Sequence, residues 1–112
     1  MTFSQCARKD DKRTASVVFW QSEESAKAYT KKGISELTIY VENQKMGTLN
    51  VGSFWGSTPE CDVAGAVTYH QRVPKNDEQK KVNFQVKSQI MKVVFEGVAY
   101  LEPNSCNNVE IH

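Results

Sequence analysis

The sequence predicts an all-β protein, an antiparallel β-sandwich of about seven short strands. Short runs rich in β-branched and aromatic residues recur at roughly regular spacing along the 112 residues. Polar turns separate these runs, and apolar residues alternate with polar ones inside them, as in sheets that keep one face in water. Only one weak helical segment is present. A parallel β/α architecture is therefore disfavoured, because each parallel crossover needs a long connection.

The chain begins with a polar segment and then a strand. Residues 1–14 show no periodicity and are interpreted as a flexible leader or tether ahead of one domain at 15–112. The first strand is predicted at 15–20, with the sequence ASVVFW. Adjacent strand residues point to opposite faces, so Phe19 and Trp20 are expected on different faces of the sheet.

A short helix is predicted at 23–32, within the segment SEESAKAYTKKG. Ser22 can accept a hydrogen bond as the N-cap, and Gly33 can adopt the left-handed conformation that ends a helix. The charges suit the helix dipole, with acidic residues at its start and basic residues at its end: Glu23, Glu24, Lys31 and Lys32. The alternative is a polar loop, because a helix of about ten residues is marginal without tertiary contacts.

The clearest element is a β-hairpin. Residues 37–42 alternate between apolar and polar side chains, and residues 48–51 alternate again. The connecting turn is predicted at 43–47, with Gly47 supplying a positive φ.

Four further strands are predicted at 63–73, 82–86, 92–102 and 109–111. Gly97 interrupts the longest of them, which suggests a bulge or a close backbone approach.

The turn-rich segment 52–62 contains two adjacent aromatic residues, Phe54 and Trp55. If this segment is extended, the two rings cannot be buried in the same direction. One ring is then exposed and available to a protein or glycan partner, or the pair forms an aromatic lid over one end of the core.

Composition excludes several classes of function. The 14 basic and 13 acidic residues nearly balance, which argues against nucleic-acid binding. No apolar run approaches the ~20 residues of a membrane-spanning helix. No catalytic residue, metal site or cofactor is predicted, and the protein is not expected to be an enzyme. His70, on a strand face, is interpreted as a solvated or hydrogen-bonded side chain.

The order of these motifs resembles a small β-sandwich module found in lipoproteins of Gram-negative bacteria. The shared pattern is a first strand ending in Phe-Trp, an Ile-Thr-Val-like strand, a Gly-Thr-Leu stretch, a Pro-Xaa-Cys loop and a late cysteine. The matching stretches are 17–20, 37–49, 57–69, 82–88, 95–106 and 107–111. The resemblance implies an Ig-like or PEGA-like sandwich outside the cytoplasm, and implies no particular activity.

The resemblance also implies roles for the cysteines. Together with their placement in turns that precede strands, it favours a disulfide between Cys61 and Cys106; the alternative is two unrelated thiols. Phe3-Ser4-Gln5-Cys6 resembles the end of a lipoprotein signal, in which Cys6 would carry the lipid anchor, although Gln5 stands where a small residue is usual. The alternative is a cytoplasmic chain with a free thiol.

The expected function is therefore a non-enzymatic extracytoplasmic lipoprotein module that acts in binding or as a structural spacer. The alternative is a protein-interaction module, such as an immunity-type inhibitor of a secreted effector. Contact with the membrane is expected only through the lipid anchor. The candidate interaction surface comprises Phe54, Trp55, Glu23, Glu24, Lys31 and Lys32.

Overall fold

The computed structural model describes residues 14–73 and 79–112 and confirms the predicted all-β sandwich. The strands are β1 (Thr14–Gln21), β2 (Glu36–Val41), β3 (Gln44–Asn50), β4 (Val67–Arg72), β5 (Lys80–Lys87), β6 (Val93–Leu101) and β7 (Cys106–Ile111). One helix, α1 (Glu23–Lys31), connects β1 to β2. Most of the predicted tether, residues 1–13, lies outside the described residues, and its last residue, Thr14, belongs to β1.

The strands form two sheets with the orders β4-β1-β7 and β3-β2-β5-β6. Neighbouring strands are antiparallel except β1 and β7, which pair in parallel. In that parallel pair Ser16 lies opposite Cys106, and Gln21 lies opposite Ile111. The first and last described strands therefore start at one end of the sandwich and finish at the other.

The core lies between the inner faces of the two sheets. Its largest fully buried apolar side chains are Phe19, Leu37, Ile39, Leu49, Leu101 and Ile111. The rings of Phe19 and Phe84 meet edge to face across the core, with centroids 5.3 Å apart. Trp20, on the opposite face of β1, is also buried, and its indole N–H donates to the side chain of Asn108. Both faces of β1 are thus covered.

The predicted helix is confirmed, and local signals define both of its ends. The Ser22 hydroxyl accepts a hydrogen bond from the Ser25 N–H at 3.3 Å. Gly33 has a φ of +80° and its N–H donates to Thr30, while the Ile34 N–H donates to Tyr29. This pair of bonds is a Schellman motif, which only a residue tolerant of positive φ can form without strain.

The predicted turn at 43–47 is wrong. The chain reverses at Glu42 and Asn43, with φ values of 50° and 68°, and β3 already begins at Gln44. Two consecutive positive φ angles give a turn whose twist matches that of the flanking strands. Gly47 instead lies inside β3 beside a register shift, where a Cβ atom would lie 3.3 Å from two methyl carbons of Val67. Gly47 is therefore needed for close approach between strands, and not for the turn.

The starts of two further strands differ from the prediction, and one of them is β7, which begins at Cys106 rather than at residue 109. β4 begins at Val67 rather than at residue 63, because the preceding residues form turns in which Gly65 has a φ of +94°. The predicted close approach at Gly97 is confirmed, since a Cβ atom there would lie 3.2 Å from the ring of Phe84. The bulge between β5 and β6 lies elsewhere, at the step from Val86 to Lys87.

Candidate functional site

The predicted disulfide between Cys61 and Cys106 is present, with the two Cα atoms 5.9 Å apart. Cys106 is the first residue of β7, and Cys61 belongs to the long connection between β3 and β4. The Cys61 N–H also donates to the sulfur of Cys106 at 3.1 Å. The bridge therefore fixes this connection to the start of the last strand.

A chain of polar side chains continues from the bridge across the outer face of the smaller sheet. Asp62 Oδ1 lies 2.8 Å from Nε2 of His70, and Nδ1 of His70 lies 2.6 Å from the hydroxyl oxygen of Ser16. With the proton on Nε2, the imidazole donates to Asp62 and accepts from Ser16. The Asp62 N–H donates to the hydroxyl of Thr68 at 2.8 Å.

We interpret this arrangement of serine, histidine and carboxylate as a structural clamp, meaning a set of contacts that holds the connection between β3 and β4 against the sheet. A catalytic triad activates its serine in a site that excludes water and provides donors to an oxyanion. Here the side chains of His70 and Asp62 are 46% and 68% exposed, so water competes for both. Ser16 lies in the central strand β1, with its N–H bonded to the Ser105 carbonyl. The contacts hold the segment around Asp62 against β4 and β1.

The two predicted aromatic residues differ in their surroundings. Phe54 is 46% exposed, whereas Trp55 is half-buried and packs against the core. Gln21 holds this stretch: its buried side-chain NH₂ group donates to the carbonyls of Val51 and Ser53, at 3.0 and 2.9 Å. One of the two adjacent rings is thus exposed and the other packs against the core.

The predicted charged residues of the interaction surface lie at opposite ends of α1. Glu23 and Glu24 are in the first turn, and Glu23 forms an exposed ion pair with Lys27 at 3.5 Å. Lys31 is in the last turn, and Lys32 follows it. A nine-residue helix is about 13 Å long, so the acidic and basic groups form two separate patches.

The basic end of α1 lies beside the turn that connects β5 to β6. The Gln89 side chain bridges the two segments, because its Oε1 accepts from the Ser35 N–H at 3.0 Å and its Nε2 donates to the Gly33 carbonyl at 2.9 Å. Within the turn, the backbone of the buried Ser88 forms two hydrogen bonds. Its N–H donates to the Lys92 carbonyl, and its carbonyl accepts from the Met91 N–H. The turn is therefore fixed by hydrogen bonds at its base and along its side.

This turn exposes two adjacent apolar side chains, Ile90 and Met91, which we call the apolar tip. Ile90 is 75% exposed and Met91 is 57% exposed. Met91 has a φ of 65°, a left-handed conformation that is strained for a residue with a side chain. The Tyr40 hydroxyl lies 3.8 Å from the Met91 sulfur, and the Lys87 ammonium lies 4.6 Å from the centre of the Tyr40 ring.

A groove of about 430 Å³ lies between the tip and the end of α1. Its lining includes the apolar side chains of Ile34, Ile90 and Val93, and the ammonium-bearing side chains of Lys32 and Lys92. Tyr29, at the base of the groove, donates its hydroxyl to the carbonyl of His112. Burial raises the pKa of the Tyr29 phenol above its ordinary value of 10.0.

Sequence reasoning missed the apolar tip. Its only local signal is an Ile-Met pair between two lysines in a short segment that was not assigned to a strand. A pair of large apolar residues in a turn is the pattern that would have revealed it.

Several predictions find no test in this geometry. The proposed lipid anchor, Cys6, lies outside the described residues. In the described part of the chain, no helix is long and apolar enough to cross a membrane. Across residues 14–73 and 79–112, no three His, Cys, Asp or Glu side chains are grouped so that they could hold a metal ion.

Comparisons with protein-family models, curated proteins and solved structures find no match for this chain.

Proposed function

We propose that this chain is a non-enzymatic lipoprotein module that works outside the cytoplasm, is tethered through Cys6, and binds a partner at the end of the sandwich that carries the apolar tip. The observation that carries the binding role is the exposure of Ile90 and Met91 on a turn that hydrogen bonds hold in place. Large apolar side chains kept in water on a rigid turn are typical of an interaction site.

The disulfide supports the location, because disulfides persist in oxidising compartments and are rare in the cytosol. The geometry also suits a tether. The Thr14 carbonyl accepts a hydrogen bond from Asn104, and Ser16 lies opposite Cys106, so the domain begins at the disulfide end. The tip lies at the other end, beside α1 and the C-terminal part of β7. A tether at one end leaves the tip at the other end free to bind.

The location is tested by growing cells that express the full gene with an alkyne analogue of palmitate. The parent protein should take up the label and fractionate with membranes, and Cys6→Ser should lose both properties. Cys61→Ser is a matched control, because it removes a cysteine inside the fold and should retain the label. An unlabelled parent protein in the cytosolic fraction would contradict the proposal.

The second candidate is an immunity-type inhibitor of a secreted effector. It is favoured by the exposed charged side chains of α1, which are Glu23, Glu24, Lys27 and Lys31. If the gene lies beside a toxin gene, co-expression should protect cells from that toxin. Reversing the charges of α1 should then abolish protection, whereas substituting the apolar tip should not.

A further inference from the structure

We infer that the apolar tip inserts into an anionic phospholipid surface, with the surrounding lysines contacting the headgroups. The inference rests on the proposed binding role and names its partner. It adds a membrane contact that is separate from any lipid on Cys6, through side chains of the folded domain.

The exposure of the tip suits a bilayer as the partner. Ile90 and Met91 are consecutive exposed residues of a turn, and the Met91 sulfur also lies near the Tyr40 hydroxyl. Adjacent exposed apolar side chains can enter the boundary between headgroups and acyl chains without a pocket of complementary shape. The turn is already fixed by Ser88 and Gln89, so insertion needs little additional ordering of the backbone.

The charge around the tip selects an anionic surface. The two segments that Gln89 joins, residues 31–36 and 87–92, contain four lysines (Lys31, Lys32, Lys87 and Lys92) and one carboxylate, Glu36. Lys32 and Lys92 line the groove next to Ile90. Lysines beside an apolar side chain place positive charge at headgroup depth when that side chain is inserted, and each strengthens binding to an anionic membrane about fivefold.

Another exposed apolar pair provides a matched control. Val98 and Tyr100, on the outer face of β6, are 40% and 51% exposed. They lie within a regular strand, and the opposing residues on β5 are Asn83 and Lys81. They resemble the tip in exposure and apolar character, but they do not project from a turn.

The test is co-sedimentation of the full chain with vesicles of phosphatidylcholine, alone or with about 30% phosphatidylglycerol. Every protein carries Cys6→Ser, so that no acyl chain contributes to binding. The parent should bind the anionic vesicles and should bind neutral vesicles at least tenfold more weakly. The tip variant I90S/M91S should bind anionic vesicles at least tenfold more weakly than the parent, because it loses the inserted apolar surface. The control variant V98S/Y100S should bind like the parent.

Two further measurements keep the result interpretable. The urea midpoint of each variant shows whether it is folded, and I90W should show fluorescence quenching by brominated lipids if the tip enters the bilayer. Failure of the parent to bind anionic vesicles, or an equal loss in the tip and control variants, would overturn the inference. If the parent binds no vesicle while the chain with its native Cys6 takes up lipid in cells, the membrane inference fails and the lipoprotein proposal stands.

Discussion

Removing the disulfide should cost this domain a large part of its stability. The bridge closes a loop with a sequence separation of 45 residues. Loop-closure entropy for that length gives about 4 kcal/mol at 25 °C, before any change in native contacts. The total stability of a domain of this size is about 5–15 kcal/mol. A variant without the bridge should therefore remain folded with a much smaller margin, or be marginally stable.

The assay is urea denaturation of C61A, C106A and the double variant, all with Cys6→Ser so that no spare thiol can pair. With a denaturant slope of about 1–3 kcal/mol per molar urea, the double variant should unfold at a midpoint about 1–4 M lower than the parent. Each single variant should lose nearly as much as the double variant, because either substitution already opens the loop.

Two results would refute this reasoning. A double variant within about 1 kcal/mol of the parent would mean that the unfolded chain gains little freedom when the bridge is removed. Losses that add across the two single variants would mean that local contacts of each sulfur atom, and not the closed loop, provide the stability.

Three further variants test particular contacts by urea denaturation. Gln21→Leu leaves two loop carbonyls without their donor but also removes the buried Gln21 Oε1, which has no hydrogen-bond partner among the described residues, so it should cost about 1–3 kcal/mol in total; a gain in stability would contradict the role of Gln21. Gly47→Ala places a methyl group 3.3 Å from the side chain of Val67, so adding Val67→Ala should make the substitution more favourable, and an unchanged effect would exclude this contact. Tyr29 has a raised pKa, so folding opposes its ionisation: its contribution is complete below about pH 10 and is lost as the pH rises above that value. Tyr29→Phe should therefore lose stability less steeply between about pH 9 and 11 than the parent, and equal slopes would exclude Tyr29 as the titrating group.

The sequence predicted those features of the fold whose physical causes lie close together in the chain. At the start of α1, the Ser22 hydroxyl bonds to a residue three positions away, and at its end the bonds around Gly33 span three to five positions. Both helix ends are therefore predictable from local sequence. Alternation of apolar residues likewise predicted which faces of β2 and β5 enter the core.

The misplaced hairpin turn shows where such reasoning ends. In the sequence Glu42 continues the apolar and polar alternation of the strand, and glycine is the residue that most readily adopts a positive φ, so local patterns favour a turn at Gly47 rather than at Glu42. Glu42 is held in that conformation by the neighbouring strand: its N–H donates to the Asn83 carbonyl at 2.9 Å, and its carboxylate accepts from the Asn83 N–H at 2.6 Å. A partner 41 residues away leaves no local signal in the sequence. The Ile-Met pair of the tip is visible in the sequence, but its position beside α1 depends on bonds from Gln89 to Ser35 and Gly33, which are 54 and 56 positions earlier.

A lipid anchor on Cys6 together with an inserted tip would restrict how the domain can lie on a membrane. β1 and β7 run in parallel from the disulfide end to the end that carries the tip, and six strand residues span about 20 Å. A lipid on Cys6 would act through residues 7–13, which reach at most about 25 Å when extended. The domain must therefore fold back along its own length to insert the tip into the membrane that anchors it, or insert the tip into a facing membrane. Lipidated protein anchored on anionic vesicles distinguishes these cases, because bridging would aggregate the vesicles whereas folding back would not, and I90S/M91S should remove any aggregation.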